Sequence, residues 1–266
     1  MTNGIWKSLQ KKRRISRWAW ILPLVVLIAL ALSAGGIVLA SRNLPPPKFE
    51  LTADGLLDPV NYPLWRSASD WLAGRKYIML TFDDGPYGHG VDAEILSILA
   101  KHHARAVFFE VCANINGDTR HVPIQIVATG NILGNHTYNH LHLPKLGEHA
   151  LQRQIAGCSA NLASITGTRP QLFRPPWGEL SPAAIKVIHA AGMHEVLWDA
   201  NSGDAWLKAP SEIIHLSLYE ASLGGHILLM HSKPTTVNAL DPLLTKLQKR
   251  GFRFVLPSVS SIPSHG

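Results

Sequence analysis

Tyr77-Ile-Met-Leu80 runs directly into Thr81-Phe-Asp-Asp-Gly-Pro86. The first four residues read as a buried strand, and Gly85 with Pro86 stops that strand and forces a turn. Asp83 and Asp84 therefore stand side by side at a strand's C-terminal end. Like charges so placed raise each other's pKa. Successive strand residues also point to opposite faces, so the two carboxylates need different partners. A bare Asp-Asp-Gly fits equally a turn aspartate beside a solvated one, and the partners further along the chain decide between these readings.

Strand-like apolar runs recur at 77–82, 106–111, 131–134, 171–174, 193–198, 226–231 and 252–255. Helical patterns lie between them at 92–103, 146–166, 182–191, 211–223 and 234–249. Ser181-Pro182 and Pro210-Ser211-Glu212 are helix starts, and Gly130, Gly167 and Gly251 sit where C-terminal caps sit. This alternation predicts an α/β fold, a parallel sheet with helices outside. About seven strands suit a closed or nearly closed barrel, with a doubly wound open sheet as the alternative. Asp83, Asp84, His136, Arg174, Asp204 and His231 each fall at or just after the end of a predicted strand. In βα barrels that rim is where active sites are built.

The formal charge of the 266 residues is +7 and the pI about 9.5. The charge is concentrated: Lys7, Lys11, Lys12, Arg13, Arg14 and Arg17 precede residue 18 with no acid among them, leaving 19 bases against 18 acids. A nearly neutral remainder argues against a nucleic-acid-binding face. Residues 18–40, from Trp18 to Ala40, carry no charge and are long enough to span a bilayer. The basic flank then stays cytoplasmic and the rest lies outside; a cleaved signal peptide is the rival, with Val38-Leu-Ala40 as its cleavage pattern. The expected organisation is a basic cytoplasmic tail (1–17), a transmembrane anchor or signal sequence (18–40), a proline-stiffened stalk and lead-in (41–75), the catalytic domain (76–258) and a short tail (259–266). Cys112 and Cys158 are either bridged, as an oxidising compartment permits, or two buried thiols.

His136-Thr-Tyr-Asn-His140 places two imidazoles four residues apart, so that on a helical turn both face one metal ion. Of the other histidines, His102, His103, His142, His149, His189 and His215 read as solvated or satisfied within the fold. Joined by Asp84, the pair makes a set of two histidines and one carboxylate with a position open for water, the mark of a catalytic site. A divalent ion there polarises a carbonyl oxygen and acidifies water, which leaves Asp83 as the natural general base. Arg174, in Phe173-Arg-Pro-Pro-Trp-Gly178, is the candidate cation beside it. A backbone N–H of that proline-stiffened loop is a candidate oxyanion donor; a packed turn with a surface arginine stacked on the tryptophan is the plainer reading. His231, closing Ile227-Leu-Leu-Met230, can protonate a leaving group if a carboxylate such as Asp204 raises its pKa.

Taken in order, Thr81-Phe-Asp-Asp-Gly-Pro86, His136-Thr-Tyr-Asn-His140, Arg174-Pro-Pro-Trp-Gly178 and Leu228-Leu-Met-His231 resemble the successive motifs of the NodB-like polysaccharide deacetylases. Ala106-Val-Phe-Phe109 and Gly130-Asn-Ile-Leu-Gly-Asn-His136 resemble the family as well, and the likeness runs over residues 76–258. The resemblance implies a distorted (β/α) barrel and a metal-dependent amidase or esterase that removes acetyl groups from carbohydrate. It makes Asp83 the base and Asp84, His136 and His140 the ligands of zinc, with cobalt or another divalent ion as alternatives. Arg174 would orient the base, and His231 would be the acid, tuned by Asp204. Pro176, Trp177 and Gly178 would form the substrate and oxyanion stretch, with Trp177 giving the backbone donor, and Leu229 would line the acetyl-methyl pocket. The fourth motif departs. Trp198-Asp-Ala-Asn201-Ser-Gly-Asp204-Ala-Trp206 has Asn201 for the family's first Asp and its Trp displaced by one, and Ser232 follows His231 where an Asp is usual.

The function expected from this reading is a membrane-anchored, extracytoplasmic deacetylase acting on an acetylated polysaccharide, with no nucleic-acid partner. A carbohydrate-binding pseudoenzyme is the alternative, and a barrel hydrolase acting on a small amide is a third.

Overall fold

The computed structural model describes residues 49–50, 76–224 and 226–258. The basic tail, the 18–40 segment, most of the stalk and the 259–266 tail lie outside them. Among the described residues, no helix is long and apolar enough to cross a membrane.

In chain order the elements are β1 (Phe49–Glu50), β2 (Lys76–Gly85), α1 (Val91–Lys101), β3 (Ala106–Glu110), α2 (His121–Ala128), β4 (Ile132–Asn135), α3 (Glu148–Thr166) and β5 (Leu172–Phe173). There follow α4 (Pro182–Ala190), β6 (His194–Glu195), β7 (Ala200–Asn201), α5 (Pro210–Ser222), β8 (Ile227–His231), α6 (Pro234–Lys249), β9 (Phe252–Phe254) and β10 (Pro257–Ser258). The main sheet runs β6-β5-β4-β3-β2-β8-β7, each neighbour parallel to the next. These seven strands form a half-barrel that stays unpaired between β6 and β7 among the described residues. β9 pairs with the first residues of β2, below β8, and β1 pairs with β10 apart from the main sheet.

The parallel sheet with outer helices is as the alternation predicts, and the helix starts at Pro182 and Pro210 are where expected. Ser181 caps α4 by accepting from the Ala184 N–H at 3.2 Å. Two elements differ. The run 193–198 is a strand only at His194–Glu195; its last backbone bond to β5 runs from the Val196 N–H to Phe173 O, and the carbonyls of Val196 and Leu197 accept from a side chain. β7 is two residues within a polar stretch, too short to show a period.

The two faces of the sheet explain how the site is placed. Ile78, Leu80 and Phe82 of β2 join the cluster under α1 and α6, with Ile95, Leu99, Leu240 and Leu244. Tyr77 and Met79, the alternate residues, face the concave interior with Val107, Phe109, Leu172, Val196 and Ile227. A strand buried on both faces reads as a continuous apolar run, which is why β2 shows no alternation in sequence. Side chains repeat every two residues along a strand. Asp83 is therefore in phase with Tyr77 and Met79, Arg174 with Leu172, and His231 with Ile227 and Leu229. All three polar side chains arrive at the same concave end because the apolar residues below them do.

Cys112 and Cys158 are bonded to each other. The bridge ties the turn after β3 to the middle of α3, across 46 residues of chain.

Candidate active site

The end of β2 supplies the first carboxylate. Asp83 is almost fully buried, and its Oδ1 accepts from Arg174 Nη1 at 2.8 Å. Register places it opposite His231 of β8. Asp84 turns the other way, with φ 67, and its carboxylate is half exposed. The two neighbours thus take different partners, as alternation requires.

Asp84 Oδ1 lies 3.5 Å from His136 Nε2 and 3.2 Å from His140 Nε2. The three donor atoms lie within 4.8 Å of one another. Donors on one tetrahedral zinc with bonds of about 2.0–2.1 Å sit about 3.4 Å apart, so the spacing fits a single ion of that size. His136 Nδ1 is 2.7 Å from the Arg174 carbonyl oxygen. A carbonyl only accepts, so Nδ1 carries the proton and Nε2 is left with the lone pair a metal ligand needs. These residues could hold a divalent ion.

The two histidines do not share a helical turn, contrary to the i,i+4 expectation. Residues 136–140 form an irregular loop with Thr137 at φ 69 and His140 at φ 54. Its backbone is held from outside. The Cys112 and Ala113 N–H groups donate to Thr137 O and Tyr138 O, and the Asn139 N–H donates to Gln154 Oε1. The His140 N–H donates to Thr137 Oγ1 and the Thr137 N–H to Asn135 Oδ1. The disulfide therefore sits directly behind the loop that carries the donor histidines. Of the six non-glycine residues with positive φ among those described, Asp84, Thr137, His140 and Trp177 are four. Each such residue costs about 1–3 kcal/mol and persists only where its surroundings over-determine it.

Arg174 is fully buried. Besides Asp83, its guanidinium donates to Thr81 Oγ1 at 2.7 Å, Val196 O at 2.9 Å and Leu197 O at 3.0 Å. It also lies 4.3 Å over the Phe109 ring. The surface arginine of the plainer reading is not what is found. Pro176 is buried, Trp177 is half exposed at φ 55, and Gly178 at φ 74 has room for a Cβ only against the Trp198 ring, 3.2 Å away.

His231 Nδ1 is 2.7 Å from Asp204 Oδ1, while Asp204 Oδ2 accepts from the His231 N–H and from Thr236 Oγ1. Burial pushes the His231 pKa down, but the hydrogen bond and charge of Asp204, with Asp83 and Asp84 behind it, hold it above its ordinary value. Burial likewise pushes Asp204 up, and His231 and Thr236 outweigh that and bring it below its ordinary value. For Asp84, burial is overcome by the His136 hydrogen bond and the nearby imidazoles, and the carboxyl falls to about 2. Leu229 is buried on the concave face between Thr81 and Asn201.

The departures in the fourth motif leave this geometry intact. Asn201 Oδ1 accepts the Gly203 N–H at 2.8 Å, a turn that Asn and Asp make equally well. Ser232 donates its N–H to the Asp83 carbonyl, a bond independent of side chain. Trp206 is exposed.

Sequence reasoning missed several supports. Thr81, Thr236 and Gln154 are common residue types whose partners lie far along the chain. Glu110 is fully buried beneath the Asp83–Gly85 turn, and neither carboxylate oxygen has a partner among the described residues. Burial first, then Asp92 and Asp83, push its pKa well above the usual carboxylate range. A Cβ at Gly85 would lie 2.6 Å from Glu110 Oε1, so a larger residue there would require the Glu110 carboxyl to shift. His102 is satisfied by Asp241 and Gln248, and His189 pairs with Glu195. His142, expected to be a bystander, lies instead beside Trp177.

A family model described as polysaccharide deacetylase matches residues 73–196. A peptidoglycan-N-acetylglucosamine deacetylase of Bacillus cereus is 32% identical over 225 residues, which cover 76% of this chain and 81% of that protein. The solved structure of a family 4 carbohydrate esterase from Streptomyces lividans, in complex with acetate, matches with a TM-score of 0.61 at 28% identity, over 68% of this chain and 92% of that one. A CE4 family pseudoenzyme from Bacillus anthracis matches with a TM-score of 0.62 at 25% identity, over 68% of this chain and 63% of that one.

Proposed function

The chain belongs to the polysaccharide deacetylase family, and on that premise we propose that it is a metal-dependent hydrolase removing acetyl groups from an extracytoplasmic glycan. One observation carries the reading: a donor set of two histidines and an aspartate, a carboxylate paired to a buried arginine and an imidazole paired to a buried carboxylate converge on one end of the half-barrel. That end is the active-site rim of a distorted (β/α) barrel.

Asp84, His136 and His140 would hold the ion, zinc in the first instance. When bound, a divalent ion polarises the acetyl carbonyl and makes water more acidic. Asp83, aimed by Arg174, takes the proton from the attacking water. The Trp177 N–H, set by Pro176 and Gly178, would donate to the oxyanion that develops on the acetyl carbonyl oxygen. Leu229 lines the pocket for the acetyl methyl. His231, held protonated by Asp204, gives its proton to the departing sugar amine or alcohol, and acetate leaves.

The catalytic domain lies outside the cytoplasm, carried there by residues 18–40 as an anchor or as a cleaved signal. The Cys112–Cys158 bridge supports an oxidising compartment. The B. cereus relative is named for peptidoglycan N-acetylglucosamine, which makes that polymer the first substrate to offer.

A carbohydrate-binding pseudoenzyme is the second reading, and the B. anthracis neighbour shows that the fold admits one. Against it stand the complete donor set and both proton-transfer groups. Acetate release from a panel of acetylated glycans, measured with chelator, with zinc restored and with Asp83→Asn, decides between the two. Metal-dependent release lost in the variant establishes the deacetylase. Silence across the panel from a folded, zinc-loaded protein favours the pseudoenzyme.

A further inference from the structure

Trp177 and Gly178 form two successive left-handed residues, at φ 55 and φ 74, in a three-residue turn. For tryptophan that backbone region is a genuine outlier, so neighbouring groups have to hold it. The side chain facing it comes from another loop. The His142 ring stacks on Trp177 with centroids 3.7 Å apart and planes 9° from parallel. His142 Nδ1 is also 2.9 Å from Glu179 Oε2, two residues beyond Trp177. His140 meets the same tryptophan edge-on, with centroids 4.4 Å apart.

His142 follows the donor His140 by two residues, and Glu179 follows Trp177 by two. One imidazole therefore joins the loop that carries the metal donors to the loop that carries the oxyanion peptide, flat against one residue and hydrogen-bonded to another. The donor side of that junction is already fixed by the Cys112, Ala113 and Gln154 contacts. On the other side, the backbone of the short turn at Trp177 has, among the described residues, only its own 3.0–3.1 Å bonds, from the Gly178 and Glu179 N–H groups.

We propose that His142 is a positioning residue: with Glu179 it clasps Trp177 so that the Trp177 peptide keeps a fixed place relative to Asp84, His136 and His140. The proposal rests on the deacetylase reading, because only there does that peptide meet an oxyanion. His142 touches neither the ion nor the reacting atoms. Its effect belongs to the rate of the chemical step and not to metal affinity. Stacking is the larger part of the clasp, so a flat ring without ring nitrogens should replace it.

The test uses the full chain with His142→Ala, His142→Phe and Glu179→Ala. Turnover is followed on an N-acetylglucosamine oligomer, zinc affinity by competition with a chelator, and the Trp177 backbone by crystal structures. His142→Ala should lower kcat by about tenfold to a hundredfold, the usual cost of a misplaced stabilising group. KM and zinc affinity should stay within about threefold, since neither depends on an interaction made only in the transition state. His142→Phe should recover most of kcat, with Glu179→Ala falling between it and the alanine variant. An unchanged kcat in His142→Ala overturns the proposal. So does zinc lost in step with activity, which would make His142 a prop for the donor loop, and so does failure of phenylalanine to restore the rate. If the wild-type chain turns over no glycan, the deacetylase reading fails, and the crystal structures still decide the clasp. Trp177 leaving the left-handed region in His142→Ala supports it, and Trp177 unmoved sinks it.

Discussion

Arg174 Nη1 lies 2.8 Å from Asp83 Oδ1, and both side chains are buried. The same arginine's carbonyl oxygen sets the tautomer of His136. The proposed base and a proposed metal donor are thus oriented from the two ends of one residue.

Asp83→Asn keeps the shape of that contact and removes the base. Turnover should fall by about a hundredfold to ten-thousandfold, the range of general-base catalysis, with zinc still bound. His136→Ala should lose zinc and activity together, because two protein ligands remain. Zinc titration of both proteins checks this, and equal retention in the two variants would overturn the assignment. Arg174→Ala should cost about 3–5 kcal/mol in urea unfolding, since it leaves a carboxylate buried without its partner.

In the proposed mechanism Asp204 acts on the reaction through His231. Burial pulls the imidazole pKa down, and Asp204 raises it above the ordinary value. The protonated form is the acid, so activity is retained below that pKa and lost as pH rises through it. Asp204→Asn should therefore move the alkaline limb of the kcat/KM profile to lower pH. A limb that stays in place would remove Asp204 from the mechanism.

Glu110 makes an opposite kind of prediction, about stability. Its folded-state pKa is raised, so the native protein binds more protons than the unfolded chain from the ordinary carboxyl range upward. Stability then falls as pH climbs toward the raised value, by up to about 1.4 kcal/mol per unit. Glu110→Gln lacks that proton, and its melting temperature relative to wild type should gain steadily between about pH 5 and pH 8. A gap that stays constant over this window would show that Glu110 does not titrate there.

The Cys112–Cys158 bridge closes a loop of 46 residues. Replacing both cysteines with serine should cost about 4 kcal/mol by the chain-entropy relation. The donor loop hangs on the Cys112 and Ala113 N–H groups, so zinc affinity should weaken as well. Denaturant unfolding and chelator competition separate the two effects. A destabilised variant with undiminished zinc affinity would limit the bridge to a global role.

The parallel sheet was legible because β2, β3 and β8 are buried on both faces and read as unbroken apolar runs. The reactive residues were legible because Asp83, Arg174 and His231 close such runs in the phase of the concave face. What stayed hidden depends on contacts between distant stretches. Nothing local says that residues 136–140 leave the helix, because the groups that hold them belong to Cys112, Ala113 and Gln154. Nothing marks Thr236 as a partner of Asp204, or His142 as a partner of Trp177. The early end of β6 was hidden for the same reason: the side chain that satisfies the Val196 and Leu197 carbonyls sits 22 residues upstream of Val196.

Arg174, which supplies that side chain, has a consequence for how this chain can change over evolutionary time. An unsatisfied buried carbonyl is costly, and Arg174 answers two of them just beyond the short pairing of β5 with β6. A descendant that abandoned hydrolysis would still need its arginine for those carbonyls, whatever became of Asp83. Persistence of Arg174 is therefore no witness to activity in a related chain. The informative position is its partner Asp83, which accepts one of the four side-chain hydrogen bonds that Arg174 donates among the described residues.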